Sequence, residues 1–376
     1  MRLTARQLNR ATLGRQLLLR REPLGVVDAV RRVVALQAQE AASPYLALWN
    51  RIVDFDPGDL DAAFAERALV KASLIRITLH AVLAEDYPAF HDAMLSSLRA
   101  ARLHDRRFIS SGLSIAEADA LVPDLLEFAA RPRTKAEIEG RLAGQLGESR
   151  PRVWWALRTF APLHHAPTGG PWSFGAASTF VAAGTRPGSK AADESVQQLA
   201  LRYLQAFGPA SAADLAQFTM LRRPVTLQAM RALGSKVVEL EGPDGATLFD
   251  VPDGLLPVED TPAPPRLLPM WDSILLAYAD RSRVIPPDYR RLVIQQNGDV
   301  LPTLLVDGYV AGVWRSVEGG IEALAFHRLS EEAWTGLTAE AAALVAFLAN
   351  RDSSVYRRYA HWWTTLPSTE IRLLAR

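Results

Sequence analysis

Two carboxamides one residue apart, in Leu36-Gln37-Ala38-Gln39-Glu40, are the residues of this chain whose type and spacing could do chemistry. They stand between the apolar Val33-Val34-Ala35-Leu36 and Tyr45-Leu46-Ala47-Leu48-Trp49, which directs them into a groove of the fold rather than onto a solvated helix. An amide offers an acceptor and two donor hydrogens, so it can orient a water and a polar substrate atom together. It cannot act as a general base. A reaction run by such a pair must therefore bring its own leaving group and need only a positioned water and charge stabilisation. On residue types alone, polar structural positions are the default and catalysis the alternative.

The other familiar signatures are missing. No G-x-G-x-x-G, G-x-x-x-x-G-K-[ST], H-E-x-x-H or G-x-S-x-G occurs, which argues against a nucleotide-driven or metal enzyme. His164 and His165 are adjacent, so in a strand they face opposite sides and cannot form a metal pair. Of Trp154-Trp155 at least one is expected in the core, and Trp362-Trp363 are expected to pack the last helix rather than stack on bases.

The 376 residues are 49% hydrophobic and 22% charged, enough for two or three cores in a multi-module globular chain. Zero cysteines remove disulfides, thiolate chemistry and Cys-ligated metals, and fit a reducing compartment. No apolar run reaches the roughly 18 residues of a membrane span, and the N-terminus lacks an export signal. A cytoplasmic protein is expected. The net charge of +1 hides an uneven distribution. Residues 1–50 hold eight arginines against three acids, whereas Glu239, Glu241, Asp244, Asp250, Asp253, Glu259 and Asp260 form an acidic stretch without a basic residue. The first could face phosphates and the second could not. Only Lys71, Lys135, Lys190 and Lys236 among the 42 basic residues are lysine.

The elements that must position the glutamines start with Thr4, a cap for a helix from about Ala5 to Leu19. A second helix follows Pro23, with Val26, Val27, Val30, Val33 and Val34 at helical spacing. A turn at Asp56-Pro57-Gly58 leads to a helix over Leu60–Leu69, and Leu74–Leu83 reads as a strand. The order then repeats: helix, short capped helix, helix, hairpin. It does so over Ala116 to Val181, with Gly169-Gly170-Pro171 in the hairpin, and over Ser195 to Val251, broken at Gly242-Pro243-Asp244-Gly245. Asn297-Gly298 and Asp307-Gly308 mark hairpins between Arg291–Ile294, Leu304–Val306 and Tyr309–Trp314, and Gly319-Gly320 leads to Ile321–Phe326. A helix capped at Ser330 and a last basic helix from about Val355 complete the chain. The fold class is mainly α with small antiparallel sheets (α+β). It is read as three tandem winged helix-turn-helix modules (1–115, 116–190, 191–255) plus a C-terminal β-hairpin sheet and helices (256–376), the whole C-shaped.

Leu36-Gln37-Ala38-Gln39, Ser43-Pro44-Tyr45-Leu46-Ala47, Arg76-Ile77-Thr78-Leu79-His80, Leu268-Pro269-Met270-Trp271-Asp272-Ser273-Ile274-Leu275-Leu276 and Asp280-Arg281-Ser282-Arg283 together resemble the AlkZ/YcaQ family of bacterial winged-helix DNA glycosylases. The likeness is nearest to its actinobacterial AlkZ branch, which unhooks interstrand crosslinks as self-resistance to a DNA-alkylating natural product. Asn297-Gly298 and Val306-Asp307-Gly308 with Gly312-Val313-Trp314 also fit, so the resemblance spans nearly the whole chain. The family's Gln-x-Gln motif is intact at Gln37 and Gln39. Ile77 departs from the family's usual Arg-Gly-Thr-Leu-His.

The resemblance implies a monofunctional DNA glycosylase with Gln37 and Gln39 catalytic. Its substrate would be bulky N7-alkylguanine in double-stranded DNA, including crosslinked guanine, and its product an abasic site. Such a guanine is cationic and already a good leaving group, which answers the limitation of two amides. A base tied to the opposite strand cannot be flipped out as most base-processing enzymes require, so an open, basic groove is expected. DNA contacts are expected from Arg10, Arg15, Arg20, Arg31, Arg76, His80 and Arg281, with Arg99, Arg102, Arg106 and Arg107 as a further set. No cofactor or metal is expected, nor a membrane, and the protein is read as a nucleoid-associated monomer. The alternatives are a non-enzymatic winged-helix DNA-binding regulator and a protein-interaction scaffold.

Overall fold

Thr4 and Gln7 start the first helix of the computed structural model, which describes residues 2–184, 192–367 and 369–375. The Thr4 hydroxyl accepts the Gln7 N–H and the Gln7 side chain accepts the Thr4 N–H, opening the helix Ala5–Arg15. Ser114 with Glu117, Thr134 with Glu137 and Ser211 with Asp214 repeat this reciprocal cap. Each satisfies backbone donors that a helix start would otherwise leave unpaired.

The repeating order read from the sequence is present. Helices Ile115–Phe128, Lys135–Leu146 and Pro151–Phe160 precede one hairpin. Helices Ala192–Phe207, Ala212–Thr219 and Arg223–Ala232 precede another. In the first part of the chain Val26–Val33, Ser43–Trp49 and Pro57–Ala65 do so. Short antiparallel sheets accompany them. The chain is thus mixed α+β, and one continuous core runs from Leu13 to Leu374.

One sheet joins the first two parts of the chain. Its strands are β1 (Leu36–Gln37), β2 (Leu69–Ser73), β3 (Leu79–Leu83), β4 (Arg133–Thr134), β5 (Leu163–Ala166) and β6 (Thr179–Ala182), in the order β1-β3-β2-β5-β6-β4. Leu36 lies opposite Ala81, Ala81 opposite Lys71, and Lys71 opposite His165. Strands on both sides of residue 115 therefore share a ladder. β7 (Val238–Glu241) and β8 (Thr247–Asp250) form a separate hairpin. The last sheet has the order β13-β12-β11-β10-β9, from β9 (Arg266–Leu268), β10 (Thr303–Val306), β11 (Tyr309–Val317), β12 (Gly320–Ala325) and β13 (Glu370–Leu374).

Three expectations are corrected. The single strand over Leu74–Leu83 is broken by a 3-10 turn at Ile75–Ile77, because Arg76 and Ile77 take left-handed backbone angles (φ 56° and 60°) that no strand accommodates. Arg291–Ile294 is a helical turn, Arg290–Val293, followed by an isolated Ile294–Val300 bridge outside the sheet. The helix expected from about Val355 is a 3-10 run, Arg357–Thr365, followed by β13, which seals an edge of the last sheet. Lys190, at the end of the second repeat, lies outside the described residues.

Candidate active site

Gln37 ends β1, paired with His80 on β3. It is 6% exposed. Its Oε1 accepts the backbone N–H of Gln39 at 2.9 Å, and the Ala38 N–H donates to Leu79 O at 2.8 Å. These two bonds turn the chain sharply after Gln37 and leave Gln39 exposed. The pair thus occupies a rim, with one amide buried and the other at the surface.

The segment Pro269–Ser273 supports that rim from beneath. Ser273 Oγ donates to Ala35 O at 3.0 Å. Arg51 and Asp272, both buried, form a two-pronged pair at 2.8 and 2.9 Å. A small cavity between these residues and Gln37 is lined also by Leu36, Ser43 and Met270. A buried pair of this kind costs desolvation and fixes geometry when both partners are present; here it anchors the helix Ser43–Trp49 to the downstream segment.

A larger open cavity, about 450 Å³, lies on the other side of Gln39 and is lined by Glu40, Lys71, His165, Phe174 and Arg358. Glu40 is held by Arg358 and by the Tyr359 hydroxyl, which donates at 2.9 Å. Tyr356 bonds Ser43 Oγ at 2.9 Å. The 3-10 run near the C-terminus therefore closes one wall of the site. Sequence reading missed Glu40, Lys71, His165, Arg358 and Tyr359, since their convergence is purely tertiary; only the scarcity of lysine set Lys71 apart.

The arginines expected to meet DNA divide into two groups. Arg10 is fully buried and paired with Asp307, and its Nε donates to Thr261 O at 2.7 Å. Arg15 is buried against Asp250, with bonds of 2.6 and 2.7 Å. Neither can reach a phosphate. The basic start of the chain is instead the complement of the acidic stretch after Glu239, since Arg2 also faces Glu241 and the Thr4 hydroxyl donates to Glu259. His80 is a further correction. It is buried with Nδ1 3.2 Å from Thr78 O, and burial pushes its imidazole down to about 3, with Arg76 adding to the effect. It is therefore neutral and cannot bind phosphate as a cation.

Arg20 and Arg31 are at the surface. Arg20 pairs with Glu22 at 2.7 Å, and Arg31 with Asp28 at 2.5 Å and Glu85 at 3.3 Å. Of the further set, Arg99 is held by Asp119 and Arg107 by Asp105. Arg102 donates to Thr159 Oγ1 at 3.0 Å, and Arg106 is exposed.

Arg76 and Arg281 differ from all of these. Neither makes an ion pair or a side-chain hydrogen bond among the described residues, and the Nε of Arg281 is buried without a partner. Burial first, and then the charge of Arg281, lower Arg76 to about 10. Arg281 is lowered by burial and then by Arg290. Asp280, the nearest acid in sequence, spends its oxygens on Ser282 N–H and Oγ at 2.9 and 2.8 Å. Two neighbouring guanidiniums without an anion make a site that a phosphate would complete.

The metal expectation rests on donors. No group of three or more His, Asp or Glu suited to a metal ion occurs among the described residues. His164 and His165 are both held neutral, burial pushing them down to about 4 and about 3. No helix among the described residues is long and apolar enough to cross a membrane.

A helix-rich α+β chain with a carboxamide pair on a strand end and unpaired arginines nearby is a candidate nucleic-acid enzyme, and comparison defines which. The family model described as DNA glycosylase AlkZ-like matches residues 30–347. The chain belongs to this AlkZ-like family and is a DNA glycosylase, which sets aside the regulator and scaffold alternatives. The solved structure of Streptomyces sahachiroi DNA glycosylase AlkZ superposes with a TM-score of 0.78 at 22% identity, covering 92% of this chain and 96% of that one. That likeness establishes a shared fold. A search of curated proteins by sequence finds no match.

Proposed function

We infer that this glycosylase hydrolyses the N-glycosidic bond of bulky N7-alkylguanine in double-stranded DNA, including guanine in an interstrand crosslink. The product is an abasic site. The observation that carries the reading is the Gln37–Gln39 rim: one carboxamide buried and one exposed, and Glu40 the one acid lining the neighbouring cavity, already bonded to Arg358 and Tyr359. Such a site lacks a free carboxylate to deprotonate water, and suits a base that leaves as a neutral molecule because alkylation has made it cationic. Gln37 and Gln39 hold the water against C1′ and stabilise positive charge developing on the sugar.

Exposure of Gln39 supports a substrate that stays near the helix stack, as a crosslinked base must. Arg76 and Arg281 hold a phosphate of the lesion strand, and Arg20, Arg31 and Arg106 add charge at the surface. The biological role is DNA repair, or self-resistance to an alkylating natural product, carried out by a monomer at the nucleoid. The domain boundaries 1–115, 116–190, 191–255 and 256–376 serve as working divisions, the first three read as winged modules and the last as a β-sheet with helices.

The test is incubation with a duplex carrying one N7-methylguanine and, separately, an N7-linked crosslink, scoring abasic sites and strand separation. Release from both supports the full reading; release from neither overturns it.

A further inference from the structure

Lys71 is a buried cation that the proposed hydrolysis does not use. It sits on β2 and is 6% exposed. Its ammonium makes no ion pair or hydrogen bond among the described residues and lies over the face of Phe174, 4.4 Å from Nζ to the ring centre. A lysine held for structure alone is paired or extends its head to water. Burial pushes this one down to about 8, with Glu40 opposing, so at neutral pH it remains an ammonium, with donors to give and no acceptor of its own.

Lys71 and Gln39 line the same cavity of about 450 Å³. Leu36 lies opposite Ala81 and Ala81 opposite Lys71, which puts two strand spacings, about 10 Å, between the Leu36 and Lys71 backbones. Residues in register share a face of the sheet and their sequence neighbours take the other. Lys71 therefore stands on the face opposite to Gln37, whose own small cavity is shared with Arg51 and Asp272. The amine is remote from the glycosidic bond, and of the two glutamines only Gln39 shares its cavity.

We propose that this cavity receives the distal arm of a bulky N7 substituent, and that Lys71 donates a hydrogen bond to a carbonyl or hydroxyl oxygen of that arm. The inference rests on the proposed hydrolysis for the position of the lesion beside Gln39. The volume fits: ligand pockets span roughly 300–1,000 Å³, and a methyl group would leave this one nearly empty. The lining fits as well, since Leu79, Ala166, Phe174 and Ala176 offer apolar surface around the single unpartnered cation. A backbone phosphate is the other source of acceptor oxygen, but it would meet Glu40 on the same lining. A neutral oxygen is not repelled there. Lys71 is thus a specificity residue, reading the arm while the glutamines act on the sugar.

The full-length protein is titrated with three duplexes, each carrying one 2′-fluoroarabino guanine, whose fluorine slows loss of the base. The N7 substituents are methyl, 4-phenylbutyl and 4-oxo-4-phenylbutyl. The ketone duplex is expected to bind roughly tenfold or more tighter than the phenylbutyl one, as for a hydrogen bond from a charged donor, and the methyl duplex to bind least. Lys71→Met, checked for folding by its thermal transition, should erase the advantage of the ketone over phenylbutyl. Ala176→Trp, at an exposed position of the lining, should erase the advantage of both arms over methyl. Equal wild-type affinities for the three duplexes overturn the proposal. So does a Lys71→Met loss of the same size on all three, which assigns the cation to a phosphate, or a preference for the arms that survives Ala176→Trp; this last arm decides the matter even where Lys71→Met does not fold. Binding is read without cleavage, so discrimination without base release from ordinary N7-alkylguanine refutes the glutamine reading alone, and release without discrimination refutes the arm pocket alone.

Discussion

Gln37 Oε1 holds the Gln39 backbone N–H at 2.9 Å, so the first glutamine of the motif shapes the turn that presents the second. The two residues are therefore unequal. Gln37 is buried and does two jobs, while Gln39 is exposed and free to face the substrate.

Replacing either residue by alanine should slow base release by roughly ten- to a thousandfold, the range for loss of a positioned or charge-stabilising group. Gln37→Ala should have the larger effect because it also frees the turn. Single-turnover release from an N7-methylguanine duplex measures both. Equal wild-type rates in two folded variants would show that the pair is structural.

Salt dependence separates the two classes of arginine. Arg76→Ala or Arg281→Ala should reduce the slope of log K against log salt by about 0.9, one phosphate each. Arg15→Met should leave the slope unchanged but cost about 3–5 kcal/mol of stability, because Asp250 is left charged, buried and unpaired. Asp244→Lys, on the acidic hairpin, should alter binding little. Titrations at several salt concentrations, beside urea denaturation, check all four; a changed slope for Arg15→Met would mean the pair opens on DNA.

The order of helices and hairpins was legible because caps and turn dipeptides act locally: Thr4 and Ser330 start the helices they were read to start. The glutamine motif was legible for a related reason, its contrast with apolar flanks. What was not legible is tertiary. Arg10 and Arg15 looked like a phosphate face because nothing in their own segment shows Asp307 or Asp250, more than 230 residues away. The break at Arg76 and Ile77 was hidden because β-branched residues favour strands, and tertiary packing overrode that preference.

Acid should destabilise the fold through its buried imidazoles. His80, His164 and His165 are pushed by burial to about 3, 4 and 3. Between those values and the ordinary value near 6.5 the unfolded chain binds more protons, so stability rises with pH there. The contribution is complete above about 6.5 and is lost on acidification, by up to about 1.4 kcal/mol per pH unit for each histidine. Denaturation midpoints at pH 7.5 and 5.5 measure it; equal values would mean these rings are solvated.

Chelation should be without effect. With no cysteine, and no cluster of metal-binding side chains among the described residues, base release is expected to persist in excess EDTA. Loss of release, restored by a divalent ion, would overturn the metal-free reading.

Ile77 offers the last test, because it holds a left-handed backbone (φ 60°) where the resembling family usually carries glycine. That conformation costs an ordinary residue about 1–2 kcal/mol, and a β-branched one is a true outlier there. The Ile77 side chain is only partly buried against the core, so Ile77→Gly gives up modest packing and relieves strain, while adding about 0.5–1 kcal/mol of chain entropy to the unfolded state. The terms oppose one another, and the variant should lie within about 1 kcal/mol of the wild type. Ile75, two residues earlier, is fully buried with ordinary backbone angles, so Ile75→Gly should cost about 3 kcal/mol or more. Urea denaturation compares them. If the two changes cost the same, the turn that carries Arg76 toward Arg281 is not left-handed at Ile77, and the geometry of the proposed phosphate site falls with it.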